Sequence, residues 1–170
     1  TSVFEKSVIV GLVFSLAAAA GLVSVGDLMI SVLFERGEFT YNDTLDVNLA
    51  LQMLAVGLPA FILIKVLTPF YYSKLDTKTP LKISILCLLL NIVFSLILIR
   101  YISYAGIPLA TSLSAWINVI LLKLIMLKDK NFRPNYRMLS NQITRILVSI
   151  GIMWLSIKLT RKTVVRMKFM

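Results

Sequence analysis

The sequence predicts an all-α, polytopic transmembrane helix bundle with about five spanning helices. Three observations lead there. Of its 170 residues, 58% are hydrophobic and 15% charged, against about 45–50% and about 25% in a soluble domain; mean hydropathy is +0.88. The apolar residues form long blocks separated by short charged segments, as in helices that cross a bilayer. A block such as LKISILCLLLNIVFSLILI does not alternate polar and apolar residues, as a barrel strand would. Helix then remains as the state that pairs every backbone N–H and C=O in lipid.

The first block runs from about Ser7 to Phe34, with Val8 to Val25 free of charge. Gly11, Ser15, Ala17, Ala18, Ala20, Gly21 and Ser24 recur at roughly helical spacing, which suits close packing of helix backbones in lipid. Asp27 follows Gly26 before ISVLFERGEF resumes, so this span is expected to break there and continue as an interfacial helix. The second block is about Val47 to Tyr72, the third about Leu81 to Ile99 and the fourth about Ala105 to Leu127. The fifth, about Ile143 to Leu159, is the shortest. Tyr71, Tyr72, Tyr101, Tyr104 and Trp154 stand where an interfacial aromatic belt belongs.

Basic residues set the orientation. Arg36 is outnumbered by Glu35, Glu38, Asp43 and Asp46 in the first loop, and the third offers only Arg100. The second holds Lys74, Lys78 and Lys82; the fourth holds Lys123, Lys128, Lys130, Arg133, Arg137 and Arg145. Basic loops stay cytoplasmic, so the second and fourth face in and the first and third face out. The tail conflicts with this: Lys158, Arg161, Lys162, Arg166 and Lys168 would lie outside.

Topology also explains the net charge of +10. No basic stripe with interleaved aromatics exists, so a nucleic-acid partner is not expected. Cys87 is the sole cysteine and there is no histidine, which leaves neither an intrachain disulfide nor the commonest general base and metal ligand. Glu35 and Glu38 sit in a loop without an apolar pocket to separate their pKa values. Gly57 and Gly106 are isolated, and Ser112 and Ser114 have no histidine to activate them. No catalytic residue, metal site or cofactor is expected.

Polar groups within the spans carry more information, because a charge at mid-bilayer costs about 2.5–3.5 kcal/mol on insertion scales. Lys65 lies between LPAFILI and VLTPF. It either snorkels to the cytoplasmic interface or lines a cavity and meets an anion. Pro59 and Pro69 bracket it; each removes an N–H from the helix ladder and marks a kink or hinge. Asn91 and Asn118 are amides within spans, suited to interhelical hydrogen bonds or to cavity lining. Asp76, Thr77, Lys78, Thr79 and Pro80 form a cytoplasmic turn, with Pro80 starting the next helix.

VLFERGEFTYNDT (Val32–Thr44), GLPAFILIKVLTPFYYSKLDTKTPLKI (Gly57–Ile83) and AGIPLATSLSAWINVILL (Ala105–Leu122) together resemble the MurJ/MviN family of lipid II flippases, in order and spacing. The match is strong over about residues 5–130. The resemblance implies a larger two-lobe transporter: residues 1–130 would be C-terminal-lobe helices, and residues 131–170 an additional helix with a basic tail. It implies no enzymatic activity, but alternating-access transfer of the undecaprenyl-pyrophosphate-linked precursor, lipid II, across the bacterial inner membrane. Partners would be lipid II, membrane lipids and the missing N-terminal lobe of the same protein. The family's cavity arginines lie upstream, so Lys65 is the substrate-binding candidate here, followed by Asn91 and Asn118. Both chain ends read as cut, and the isolated piece is expected not to transport. The alternatives are a related flippase or antiporter for another lipid-linked sugar or drug, and a non-transporting membrane scaffold.

Overall fold

Thr40 and Asp43 start the second helix by local chemistry. The Asp43 carboxylate accepts hydrogen bonds from the Thr40 backbone N–H and hydroxyl, both at 2.7 Å, which holds the chain end at the point where four helix N–H groups lack partners. Upstream, Gly37 takes a positive φ of 63°, a conformation open to glycine at little cost. Phe34 and Phe39 approach across the same turn, with ring centroids 6.3 Å apart.

A computed structural model describes residues 2–128 and Gly151. Four helices follow in order: α1 (Ser2–Phe34), α2 (Tyr41–Tyr72), α3 (Lys78–Ile102) and, after a 3-10 turn at Ser103–Ala105, α4 (Gly106–Lys128). Helices consecutive in the chain run antiparallel, so α2 and α4 lie parallel, with Met53, Val56 and Tyr71 meeting Ser112, Trp116 and Leu122 in the same direction. In packing order the helices are α1, α2, α4, α3, and α3 meets α2 only marginally. The fifth predicted span, the loop before it, Trp154 and the basic tail lie outside the described residues, except that Gly151 is helical.

The apolar stretches Val3–Phe34, Tyr41–Tyr72 and Lys78–Leu127 are long and apolar enough to cross a membrane. The third folds back at the 3-10 turn into α3 and α4, each itself of spanning length. In each stretch's most apolar window, only 11% to 22% of residues are buried inside the chain. Val10, Phe14, Leu88, Leu96 and many other large apolar side chains remain exposed. In water this would be a very large unpartnered apolar surface. Lipid covers it without penalty, so this is a multi-pass membrane protein.

Two expectations need correction. Gly26–Asp27 does not break the first span, since α1 runs unbroken for 33 residues. A Cβ at Gly26 would stand 2.8 Å from Leu51 Cδ2 and 2.9 Å from Asn48 Oδ1. The glycine therefore serves close approach of α1 to α2, as does Gly11, whose Cβ would meet Ile62 Cγ2 at 2.7 Å. The first loop is also shorter than expected, because the Thr40–Asp43 cap extends α2 back to Tyr41.

The hinge between α3 and α4 depends on one residue. Ser103 takes φ 50°, and the chain then doubles back so tightly that a Cβ on Gly106 would lie 2.6 Å from the Leu98 carbonyl carbon. Only glycine permits that backbone contact. The core sits between α2, α3 and α4, where Ala60, Leu67, Ile83, Cys87, Val119, Leu122 and Met126 pack together.

Candidate functional site

Helix α2 is the centre of the array, flanked by α1 and α4, and it runs through Pro59 and Pro69 without interruption. Pro59 has no N–H to offer the Ala55 carbonyl. On either side of Ala55, two α4 side chains reach across. Ser112 Oγ donates to the Met53 carbonyl at 2.6 Å, and Trp116 Nε1 donates to the Val56 carbonyl at 3.1 Å. Ser112 and Trp116 are four residues apart and so share one helix face. At the crossing, a Cβ on Gly57 would stand 2.5 Å from Ser112 Oγ and 3.0 Å from Ser112 Cα. Gly57 and Ser112, unremarkable as isolated residues, form a point where the backbones of α2 and α4 approach closely.

A third bond joins the same helices near their C-terminal ends. Tyr71 is buried and its hydroxyl donates to the Leu122 carbonyl at 2.5 Å. Tyr71 is therefore not part of an aromatic belt; Tyr72, beside it, is the exposed member of the pair. The belt reading fails for Tyr71 because adjacent residues on a helix point about 100° apart, so Tyr72 faces outward and Tyr71 inward; Tyr101 and Tyr104 are exposed.

Pro59 is buried and Pro69 exposed. Lys65, between them, is exposed. It shares a stripe with Leu54, Pro69 and Tyr72, spaced eleven, four and seven residues from it, which is one face of a helix. That face is turned away from both the α1 and the α4 contacts. The lysine is thus presented on a surface that the described helices leave open.

The two asparagines lie elsewhere. Asn91 continues the buried stripe of Ile83 and Cys87, by which α3 packs on α4. Its Oδ1 accepts a hydrogen bond from Ser95 Oγ at 3.2 Å. Asn118 is buried on α4, and its Oδ1 has no hydrogen-bond partner among the described residues. Lys65, Asn91 and Asn118 do not share one surface.

The turn between α2 and α3 is built by Asp76. Its Oδ1 accepts the Thr79 N–H at 3.0 Å, while its own N–H donates to the Tyr71 carbonyl at 3.0 Å. The Thr79 side chain and backbone together hold the Asp76 carboxyl below the usual carboxylate range. Helix α3 begins at Lys78, two residues before Pro80, which sits buried in its first turn, where no N–H is needed. Lys74 lies over the Phe70 ring, 4.7 Å from its centroid, and Phe70 meets Phe4 of α1 at 5.7 Å. Lys78 and Lys82 are exposed.

Sequence reading passed over Ser112, Trp116 and Gly57. The available signal was Pro59: a proline in a spanning helix is repaired by neighbouring helices, and a Ser–Trp pair at helical spacing is a suitable donor set, here bonded to the Met53 and Val56 carbonyls that flank Ala55.

The comparisons with known proteins match this arrangement. The family model described as lipid II flippase MurJ matches residues 2–170. The chain belongs to the MurJ lipid II flippase family. Among MurJ relatives, a probable lipid II flippase from Rickettsia prowazekii is 40% identical over 69% of this chain and 23% of its own length. One from Vibrio cholerae is 44% identical over 62% of this chain and 20% of its own. A solved lipid II flippase MurJ in an inward closed conformation superposes with a TM-score of 0.65, at 25% identity, over 95% of this chain and 39% of that one. The chain thus spans about a quarter of the length of these curated MurJ relatives.

Proposed function

We propose that this chain contributes most of the C-terminal lobe, and one added helix, to a flippase that carries lipid II across the bacterial inner membrane by alternating access. The observation that carries the reading is the placement of Lys65. A cation held on an exposed face about two turns before the end of α2, bracketed by two prolines and left uncovered by α1 and α4, suits a hydrated path for a pyrophosphate. A strongly anionic head group crossing oil needs such charges, and the rest of the path belongs to the part of the protein upstream. Pro69, exposed and close to Lys65, is the hinge candidate. Pro59, with donors from α4 on both sides of its orphaned acceptor, is the fixed kink.

The experiment is complementation by the full-length protein in a strain depleted of its flippase. Lys65→Ala is expected to insert normally and fail to support growth, and Lys65→Arg to retain function. Normal growth with Lys65→Ala overturns the role of this lysine. Loss of labelled lipid II transfer in vesicles, measured against a lipid-linked sugar of another kind, fixes the substrate.

A further inference from the structure

Helix α3 forms the edge of the array, packed on α4 and barely on α2. Its outer side is an exposed apolar stripe, including Leu89, Val93 and Leu96, at spacings that keep one helix face. Arg100 continues that face four residues beyond Leu96 and is exposed. At 1.5 Å per residue, Leu89 to Arg100 covers about 16 Å, close to one leaflet of a hydrocarbon core about 30 Å thick. A shallow groove of about 350 Å³ lies at the top, lined by Leu96, Ile97, Arg100 and Tyr101.

Two facts make Arg100 more than an ordinary helix end. Basic residues are disfavoured on the outer side of a membrane protein, and by loop charge this is an outer end. Nor does local pairing account for it: no carboxylate occurs in the sequence between Asp76 and Asp129, so α3, the 3-10 turn and α4 offer Arg100 no acid. A guanidinium at the headgroup level, above an apolar track one leaflet deep, complements a phosphate carrying acyl chains.

We propose that the Leu96–Ile97–Arg100–Tyr101 groove binds an anionic glycerophospholipid of the outer leaflet, its phosphodiester on Arg100 and an acyl chain along Leu96, Val93 and Leu89. The inference rests on the membrane orientation and is independent of the transported substrate. The test is native mass spectrometry of the purified full-length protein, released from nanodiscs of mixed phosphatidylglycerol and phosphatidylcholine. The wild type is expected to retain phosphatidylglycerol preferentially, with Arg100→Gln reducing retention about fivefold. Lys82→Gln, at the opposite end of α3, serves as the comparison and is expected to leave this retention in place. Equal retention of the two lipids by the wild type overturns the proposal, as does unchanged retention in Arg100→Gln. Displacement by millimolar inorganic phosphate also overturns it, because the groove would then read a free anion and not a lipid.

Discussion

Trp116 on α4 donates its indole N–H to the carbonyl of Val56 on α2, 3.1 Å away and three residues before Pro59. A proline in a spanning helix exposes backbone acceptors in a medium without water. Here the neighbouring helix places donors on the Met53 and Val56 carbonyls, which flank the Ala55 carbonyl that Pro59 cannot serve, and so ties the proline turn to α4.

Trp116→Phe keeps most of the ring and removes the donor. It is expected to lower stability by about 0.6 kcal/mol, and by no more than about 1.7, the range for interhelical hydrogen bonds in membranes. Ser112→Ala should cost a similar amount. Reversible unfolding in mixed micelles measures both, and unchanged stability in the two variants would show that the staple adds nothing.

Gly57→Ala places a methyl group against the Ser112 backbone, 3.0 Å from its Cα. Backbone cannot step aside as a flexible side chain can, so the two helices must separate. A loss of about 1–3 kcal/mol is expected. Gly21→Ala is the control: nothing lies within 4 Å of a Cβ there, and stability should be unchanged or slightly higher.

Tyr71→Phe is expected to cost about 1 kcal/mol through the lost bond to Leu122. Tyr71→Ala adds a cavity beside Leu67 and Leu122 and should cost about 3–5 kcal/mol. Tyr72→Phe, on the exposed side, should be silent in the same unfolding assay.

Acid should loosen the start of α3. Asp76 has a depressed folded-state pKa because Thr79 donates to its carboxylate. Its contribution is therefore present above the unfolded value of about 3.9 and is lost as pH falls through the lower folded value. Amide exchange in the first turn of α3, compared between wild type and Asp76→Asn, isolates the effect. The wild type should lose protection below about pH 4. Asp76→Asn should be flat with pH, and Asp76→Ala should be unprotected throughout. Identical profiles for wild type and Asp76→Asn would contradict the assignment.

The environment of Lys65 can be read chemically. In a full-length Cys87→Ala background, Lys65→Cys is expected to react with a charged, membrane-impermeant thiol reagent added to inverted or right-side-out vesicles, as a residue in a hydrated cavity would. Leu89→Cys, on the lipid-facing stripe of α3, should not react. Protection of both positions would place Lys65 against lipid and make it a snorkelling residue.

Much of this was legible in the residues. Block composition alone separates α2, α3 and α4 to within a few residues at most ends, because the requirement to pair backbone groups in lipid leaves helix as the only local solution. The exception at α2, six residues longer than its apolar block, comes from the Thr40–Asp43 cap, a polar interaction that hydropathy does not register. The unbroken α1 comes from Gly26, whose role depends on Asn48 and Leu51 of another helix. Glycine beside aspartate is a break signal in isolation, and partner contact reverses its meaning.

By itself the sequence determined that the chain is helical, that it spans a membrane several times, which loops carry the basic charge, and which family's motifs it holds. Those properties follow from local composition and spacing. Tertiary structure decided which face each helix turns to a neighbour: that Tyr71 points inward and Tyr72 outward, that Ser112 and Trp116 meet the Pro59 turn, and that Lys65 is left uncovered while Asn118 is buried. A uniformly apolar helix has no amphipathic stripe to declare its packing face. In lipid that choice falls to small residues and a few hydrogen bonds, and their partners lie some fifty to sixty residues away in the chain.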